Sequence, residues 1–165
     1  MIEFEKTSMR DYLCGSISES LIGQQVSVCG WVAKRREHGE HLAFIDIRDK
    51  SGIVQAVIPG SVEIRSEFVV KVTGAVSARP EGTVNTKLPT GKIELTDCKV
   101  EVLATAEVPV FQLDDRTEID ETVRLRYRFL DLRREQLQRN LRLRAAVNQS
   151  LRNSMTRQGF VEVET

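Results

Sequence analysis

Between Val26 and Val102 the chain alternates apolar and polar residues at a period of two, in five short runs separated by turn signals; from Glu121 onward the period lengthens to that of a helix. No other feature constrains the fold as tightly. A two-residue period commits a segment to a pleated strand with one buried face, and a change of period divides the chain into two parts. In the first run Val26, Val28 and Val32 alternate with Ser27, Cys29 and Trp31, and the run ends on Lys34-Arg35-Arg36. Cys29 and Trp31 are expected in the core of that strand. A loop at Glu37-His38-Gly39-Glu40 leads to a second run, Leu42 to Arg48, with Ile45 and Ile47 on one face and Phe44, Asp46 and Arg48 on the other.

Lys50-Ser51-Gly52 predicts a hairpin turn, since glycine accepts a positive φ. The third run, Ile53 to Ile58, is stopped by Pro59-Gly60. Ser61 to Glu67 is expected to form a short helix with Ser61 as its N-cap. The fourth run, Phe68 to Arg79, alternates Val70 and Val72 with Lys71 and Thr73. A long loop from Arg79-Pro80-Glu81-Gly82 to Thr90-Gly91 then leads to the fifth, Lys92 to Val102, with Ile93 and Leu95 on one face. Three strands, a short helix and two strands is the order of a mainly β, five-stranded OB barrel. The excursions 37–41 and 80–91 would form its rim, where such barrels contact ligands.

Residues 103–120 contain Pro109 and several acids and read as a linker. Between Arg124 and Arg144 eight arginines face two acids, an excess that suits phosphates or an acidic protein surface. Leu143, Val147, Leu151 and Met155 form one apolar helical stripe, and Gly159 is placed to end the helix. Phe160 to Thr165 then begins a strand that has no partner in this chain, so the chain is expected to be a piece of a longer protein.

Composition narrows the function. The formal net charge is zero, which argues against a globally basic nucleic-acid binder but leaves room for local basic patches. No apolar run approaches the roughly 18–20 residues needed to cross a bilayer. Met1-Ile2-Glu3-Phe4-Glu5-Lys6 lacks the basic and apolar regions of a signal peptide. No membrane association is expected, and a cytoplasmic location is. Cys14, Cys29 and Cys98 are odd in number and far apart, which fits reduced thiols rather than a zinc site.

Catalysis finds little support in the residues. His38 and His41 lie three apart on a loop, a spacing too common to single out a dyad or metal pair. There is no nucleophile elbow, no GxxxxGK[ST] and no GxGxxG. Binding is better supported. Phe44, opposite the inward Ile45 and Ile47 and close to basic residues, is either a stacking platform for an unpaired base or satellite core beneath a loop. Lys34, Arg35 and Arg36 are either phosphate and base contacts or a solvated strand end. Gln55 and Glu94 stand on the polar faces of their strands, as base-edge readers or as ordinary exposed residues.

Cys29-Gly30-Trp31-Val32, Lys34-Arg35-Arg36, Phe44-Ile45-Asp46-Ile47-Arg48-Asp49 and Gly52-Ile53-Val54-Gln55 together resemble the anticodon-binding domain of class IIb aminoacyl-tRNA synthetases. Ser66-Glu67-Phe68, Val72-Thr73-Gly74 and Arg79-Pro80-Glu81-Gly82-Thr83-Val84-Asn85 point the resemblance to the bacterial aspartyl type. So does the string Arg124-Leu125-Arg126-Tyr127-Arg128-Phe129-Leu130-Asp131-Leu132-Arg133-Arg134, which looks like that family's hinge. Lysyl and asparaginyl relatives share the barrel but match less well.

The resemblance implies that Phe44 stacks on the central anticodon uridine and that Gln55 hydrogen-bonds it. It puts Arg36, Arg79 and Asn85 near the third base or its backbone, sets Glu94 facing a guanosine at the first, and gives Lys34 and Arg65 the phosphates. His38 would bear on specificity, its presence being more like enzymes that charge tRNA-Asn as well as tRNA-Asp. Ser77 stands where many relatives carry a basic residue, so one backbone contact is missing from the pattern, and a second departure is Thr83, where some relatives carry Asn.

The organisation implied is a leader at 1–12, an anticodon-binding OB domain at 13–108, a linker and hinge at 109–138, and the start of a class II catalytic domain, motif 1, at 139–165. Motifs 2 and 3 are not found. The chain by itself is therefore expected to bind tRNA-Asp, with or without tRNA-Asn, and to catalyse nothing. The whole ligase is expected to be a homodimer through motif 1 that uses ATP and Mg²⁺.

Overall fold

The computed structural model describes residues 7–39, 41–114 and 117–164, in two units, Met1–Val108 and Pro109–Thr165. The first six residues of the expected leader, Glu40 of the expected loop, residues 115 and 116 of the expected linker, and Thr165 lie outside the described residues.

The first unit is the expected closed five-stranded barrel. Its strands are β1 (Gln25–His38), β2 (Leu42–Arg48), β3 (Ile53–Pro59), β4 (Val69–Ala78) and β5 (Ile93–Ala104), in the order β1-β2-β3-β5-β4. All neighbours are antiparallel except β3 and β5, which meet through the parallel pair Ala56 and Leu95. Val26, Val28, Val32, Ile45, Ile47, Val54, Ile58, Val70, Val72 and Leu95 are at most 1% exposed and fill the interior. Burying each such side chain contributes roughly 1.5–3 kcal/mol. At the third inward position of both β1 and β4 stands a glycine. A Cβ on Gly30 would lie 2.5 Å from the Arg48 carbonyl oxygen, and one on Gly74 2.8 Å from that of Thr96. Strands that curl this closely leave no room for a side chain at the corner.

Four sequence expectations about the barrel are corrected. Trp31 is not core: it is 40% exposed, because the inward series on β1 runs Val26, Val28, Gly30, Val32 and Trp31 falls between them. Cys29 shares that outward parity and is only half-buried; the buried thiol is Cys14, ahead of the barrel. Residues 37–41 are no long excursion, since β1 runs to His38, which pairs with Leu42, and Gly39 turns the chain at φ +67°.

The segment 61–67 is not a helix. Its carbonyls are taken by a side chain: the Arg35 guanidinium donates to the oxygens of Gly60, Val62 and Ile64. The loop ends on Glu67, buried at φ +67°, whose carboxylate accepts from Arg48 at 3.0 and 3.1 Å. The N-terminal residues just before the barrel also pack against β1, where the Asp11 amide donates to the Ser27 carbonyl and the Ser27 amide to the Asp11 carboxylate.

In the second unit, Asp120 caps α1 (Glu121–Arg126) by accepting from the Thr122 amide; α2 (Arg128–Asp131) and α3 (Glu135–Arg157) follow. The arginine excess is partly consumed here. Asp131 is fully buried and pairs with Arg124, Arg128 and Arg134 at 3.1, 3.4 and 3.6 Å. Arg134 also donates to the carbonyls of Asp114 and Thr117. Gly159, at φ +86°, ends α3 as its sequence position predicts, with the Phe160 amide donating to the Met155 carbonyl. Leu143, Val147, Leu151 and Met155 stand exposed along α3. Residues 160–164 form no strand, since a strand needs a neighbour to bond with. Among the described residues no helix is long and apolar enough to cross a membrane.

Candidate nucleic-acid interface

A bulge in β1 builds the candidate site. Val32 pairs with Ile47, but the next pair is Lys34 with Asp46, so Ala33 is an extra residue. An extra residue reverses the parity of everything after it. Without it Lys34 would face inward opposite Ile45. With it, Arg35 takes the inward position and reaches the 60–68 loop, while Lys34 and Arg36 point outward beside Asp46 and Phe44. The sequence offers no signal for this bulge beyond three consecutive basic residues that cannot all be solvated on one face of a strand.

Asp46 pairs with Gln55 across β2 and β3, and Glu94 stands on β5 beyond. The four side chains form one chain of hydrogen bonds. One Arg36 nitrogen donates to Asp46 at 2.7 Å and to the Gln55 carbonyl oxygen at 2.9 Å, and the Gln55 amide nitrogen donates to Glu94 at 2.8 Å. Gln55 and Glu94 are 9% and 7% exposed, so the polar faces of β3 and β5 do not lie open to solvent at these positions. Burial raises the Asp46 carboxyl above the usual carboxylate range, against the opposing pull of Arg36, Arg79 and Lys34. Four residues distant in sequence thus share one electrostatic neighbourhood.

Phe44 lies two residues along β2 from Asp46, on the same face and half-buried, with the His38 ring edge-on at 5.4 Å between centroids. Arg79 opens the long loop and donates to the Ile93 carbonyl at 3.1 Å. Asn85, half-buried in that loop, accepts from the Lys87 amide through its side chain, and its backbone amide donates to the Gly91 carbonyl. Thr90 ties the loop to β3 through the Ile53 carbonyl. Lys34 and Arg65 are exposed; Arg65 sits on the 60–68 loop, outside the Arg36–Glu94 network. Ser77 bonds the Thr96 hydroxyl at 2.8 Å, and Thr83 the Pro80 carbonyl.

Nine residues singled out from sequence therefore divide. Arg36, Gln55 and Glu94 are joined directly, Phe44 and His38 adjoin them, Lys34 and Arg79 act on Asp46 through charge, and Asn85 and Arg65 occupy the two flanking loops. Asp46 was not singled out, although its place between Phe44 and Arg48 on the outward face marks it.

Burial pushes Cys14 well above the ordinary thiol range and Cys98 up to about 12. Among the described residues no group of three or more His, Cys, Asp or Glu is arranged to hold a metal.

Residues 26–106 match the family model described as an OB-fold nucleic acid binding domain, and residues 120–165 that of tRNA synthetases class II (D, K and N). Among solved structures, the chain is similar to the asparaginyl-tRNA synthetase of Pyrococcus horikoshii in complex with asparaginyl-adenylate. The identity is 26% over 93% of this chain and 36% of that one, with a TM-score of 0.75. It is similar in fold to the aspartyl-tRNA synthetase of Entamoeba histolytica (21% identity, 89% of this chain, 37% of that one, TM-score 0.78). The asparaginyl enzyme of the same organism compares at 21% identity, 93% and 38% coverage, and TM-score 0.70. The chain thus spans less than two fifths of the length of these proteins, and along it a match to an OB-fold nucleic acid binding domain is followed by a match to the class II tRNA synthetases (D, K and N).

Proposed function

We propose that this chain is the anticodon-reading part of an aspartate–tRNA ligase of bacterial type. The observation that carries this reading is the network Arg36–Gln55–Glu94 beside the half-buried Phe44: an aromatic platform next to donors and acceptors held in fixed directions. That combination suits a splayed-out base, which needs a flat apolar surface and a matched edge. Phe44 and Gln55 take the central uridine; Arg36, Arg79 and Asn85 the third base or its backbone; Glu94 the first guanosine; Lys34 and Arg65 the phosphates. His38, in contact with Phe44, adjoins the platform and supports a reading in which tRNA-Asn is accepted as well as tRNA-Asp.

The whole ligase would join aspartate to tRNA using ATP and Mg²⁺, with no part in that step for the residues described above. It would act in the cytoplasm as a homodimer in which the exposed stripe of α3 is covered. A second reading, an asparagine-type ligase, is favoured by the 26% identity to the Pyrococcus enzyme.

Titration of the chain against anticodon stem-loops carrying GUC, GUU and a scrambled loop, at one moderate salt concentration, tests both. Preference for GUC supports a strict aspartyl reader. Equal binding of GUC and GUU, with the scrambled loop rejected, supports the relaxed one. Preference for GUU favours the asparagine type, and equal binding of all three overturns the anticodon reading.

A further inference from the structure

We infer that Arg36 and Glu94 act as a polarity lock on the Gln55 amide, and that this lock lets the site accept uracil and refuse cytosine at the base beside Phe44. The inference rests on the anticodon reading above. A glutamine amide carries a carbonyl oxygen at one end and an NH₂ at the other, and a half-turn of its last torsion exchanges them with almost no change of shape. Here the two ends meet partners that cannot exchange. Arg36, a pure donor, is 2.9 Å from the carbonyl oxygen, and Glu94, an acceptor when ionised, is 2.8 Å from the nitrogen. A flipped amide would set oxygen against carboxylate and NH₂ against guanidinium. At 9% and 7% exposure for Gln55 and Glu94, water has little access to relieve either clash.

The lock uses one lone pair and one N–H of Gln55, and leaves one of each for a ligand in a fixed order. Uracil presents a donor at N3 and an acceptor at O4. Cytosine presents the reverse, an acceptor at N3 and a donor at N4. An amide free to flip could bond either base edge-on, whereas a locked one bonds the base whose order it matches and meets like with like on the other. Asp46 supports the lock from behind, since it holds the same Arg36 nitrogen at 2.7 Å. Glu94 is thereby a positioning residue for the central base, whatever its free oxygen does at the first.

The test compares stem-loops carrying GUC and GCC, which differ only at the central base, by titration against the unaltered chain, Glu94→Gln, Arg36→Gln, Arg36→Lys and the Arg36→Gln/Glu94→Gln pair, with the thermal midpoint of each recorded. The unaltered chain is expected to favour GUC roughly tenfold to a hundredfold, the discrimination typical of one bidentate pair. Glutamine at position 94 or 36 can face either end of Gln55, so each single change lowers the GUC:GCC ratio and the pair brings it close to one. Lysine at position 36 remains a pure donor and keeps the ratio even where overall affinity drops. A ratio unmoved in Glu94→Gln and in the paired variant, both folded, overturns the lock and leaves the anticodon reading standing. An unaltered chain that binds GUC no better than a scrambled loop overturns the anticodon reading, and the lock with it.

Discussion

Phe44 illustrates how much a single side chain depends on its neighbours for meaning. Alone it is one of six phenylalanines; half-buried, with His38 against it and Arg36 paired opposite, it is an aromatic surface in a polar, cation-rich setting. Replacing it with alanine is expected to weaken binding to a GUC stem-loop by about 1–3 kcal/mol, the usual loss for one stacked base. Fluorescence anisotropy checks this, with circular dichroism to show that the barrel remains folded. An unchanged affinity would mean that the ring only packs beneath its loop. Asp46 is the counterpart case. Its carboxyl is raised by burial and drawn down by three cations, so on acidification it takes up a proton before a free carboxyl does and Arg36 then loses its anionic partner.

At the scale of elements, the 60–68 loop shows a side chain substituting for secondary structure. Three of its carbonyls bond to Arg35 instead of to the amides of a helix, and Arg35 is available only because the β1 bulge turns it inward. Arg35→Met keeps the apolar stem and removes every donor. We expect it to lower unfolding stability by about 1–3 kcal/mol in urea, since part-buried carbonyls are left without partners. A loss below about 0.5 kcal/mol would mean that water replaces the guanidinium without cost. In the second unit Asp131 plays the same organising part with the signs reversed, one buried carboxylate gathering Arg124, Arg128 and Arg134.

For the whole molecule, zero net charge and RNA binding are compatible because the charges are unevenly spread. Lys34, Arg36 and Arg79 gather around Asp46, and Arg65 is exposed on the 60–68 loop. If those four meet phosphates, the log–log dependence of affinity on salt should have a slope of about −2 to −3, at roughly −0.7 per single-strand contact. A series of titrations at several salt concentrations measures it, and Lys34→Ala should flatten it by about 0.7. A slope near zero would exclude backbone contact as a source of affinity.

The sequence by itself determined the strands, because alternation can be satisfied only by a pleated segment with one dry face, and it determined the end of α3, because Gly159 tolerates the positive φ found there. The closed barrel was legible from the succession of elements, whereas the order β1-β2-β3-β5-β4 came only with the structure. The roles given to Phe44, Gln55 and Glu94 came from resemblance; the residues alone left each between a contact and an ordinary side chain. What only the tertiary structure decided depends on parity and on partners far along the chain. Trp31 reads as core until Gly30 is seen to occupy the inward position. Ser61 to Glu67 reads as a helix until Arg35 takes its carbonyls. Gln55 and Glu94 read as exposed until a bulge at Ala33, invisible in a period-two pattern, brings Arg36 across to them. A local pattern fixes which face a residue can occupy, but hydrogen bonds between residues 19 and 39 positions apart decide what it does there.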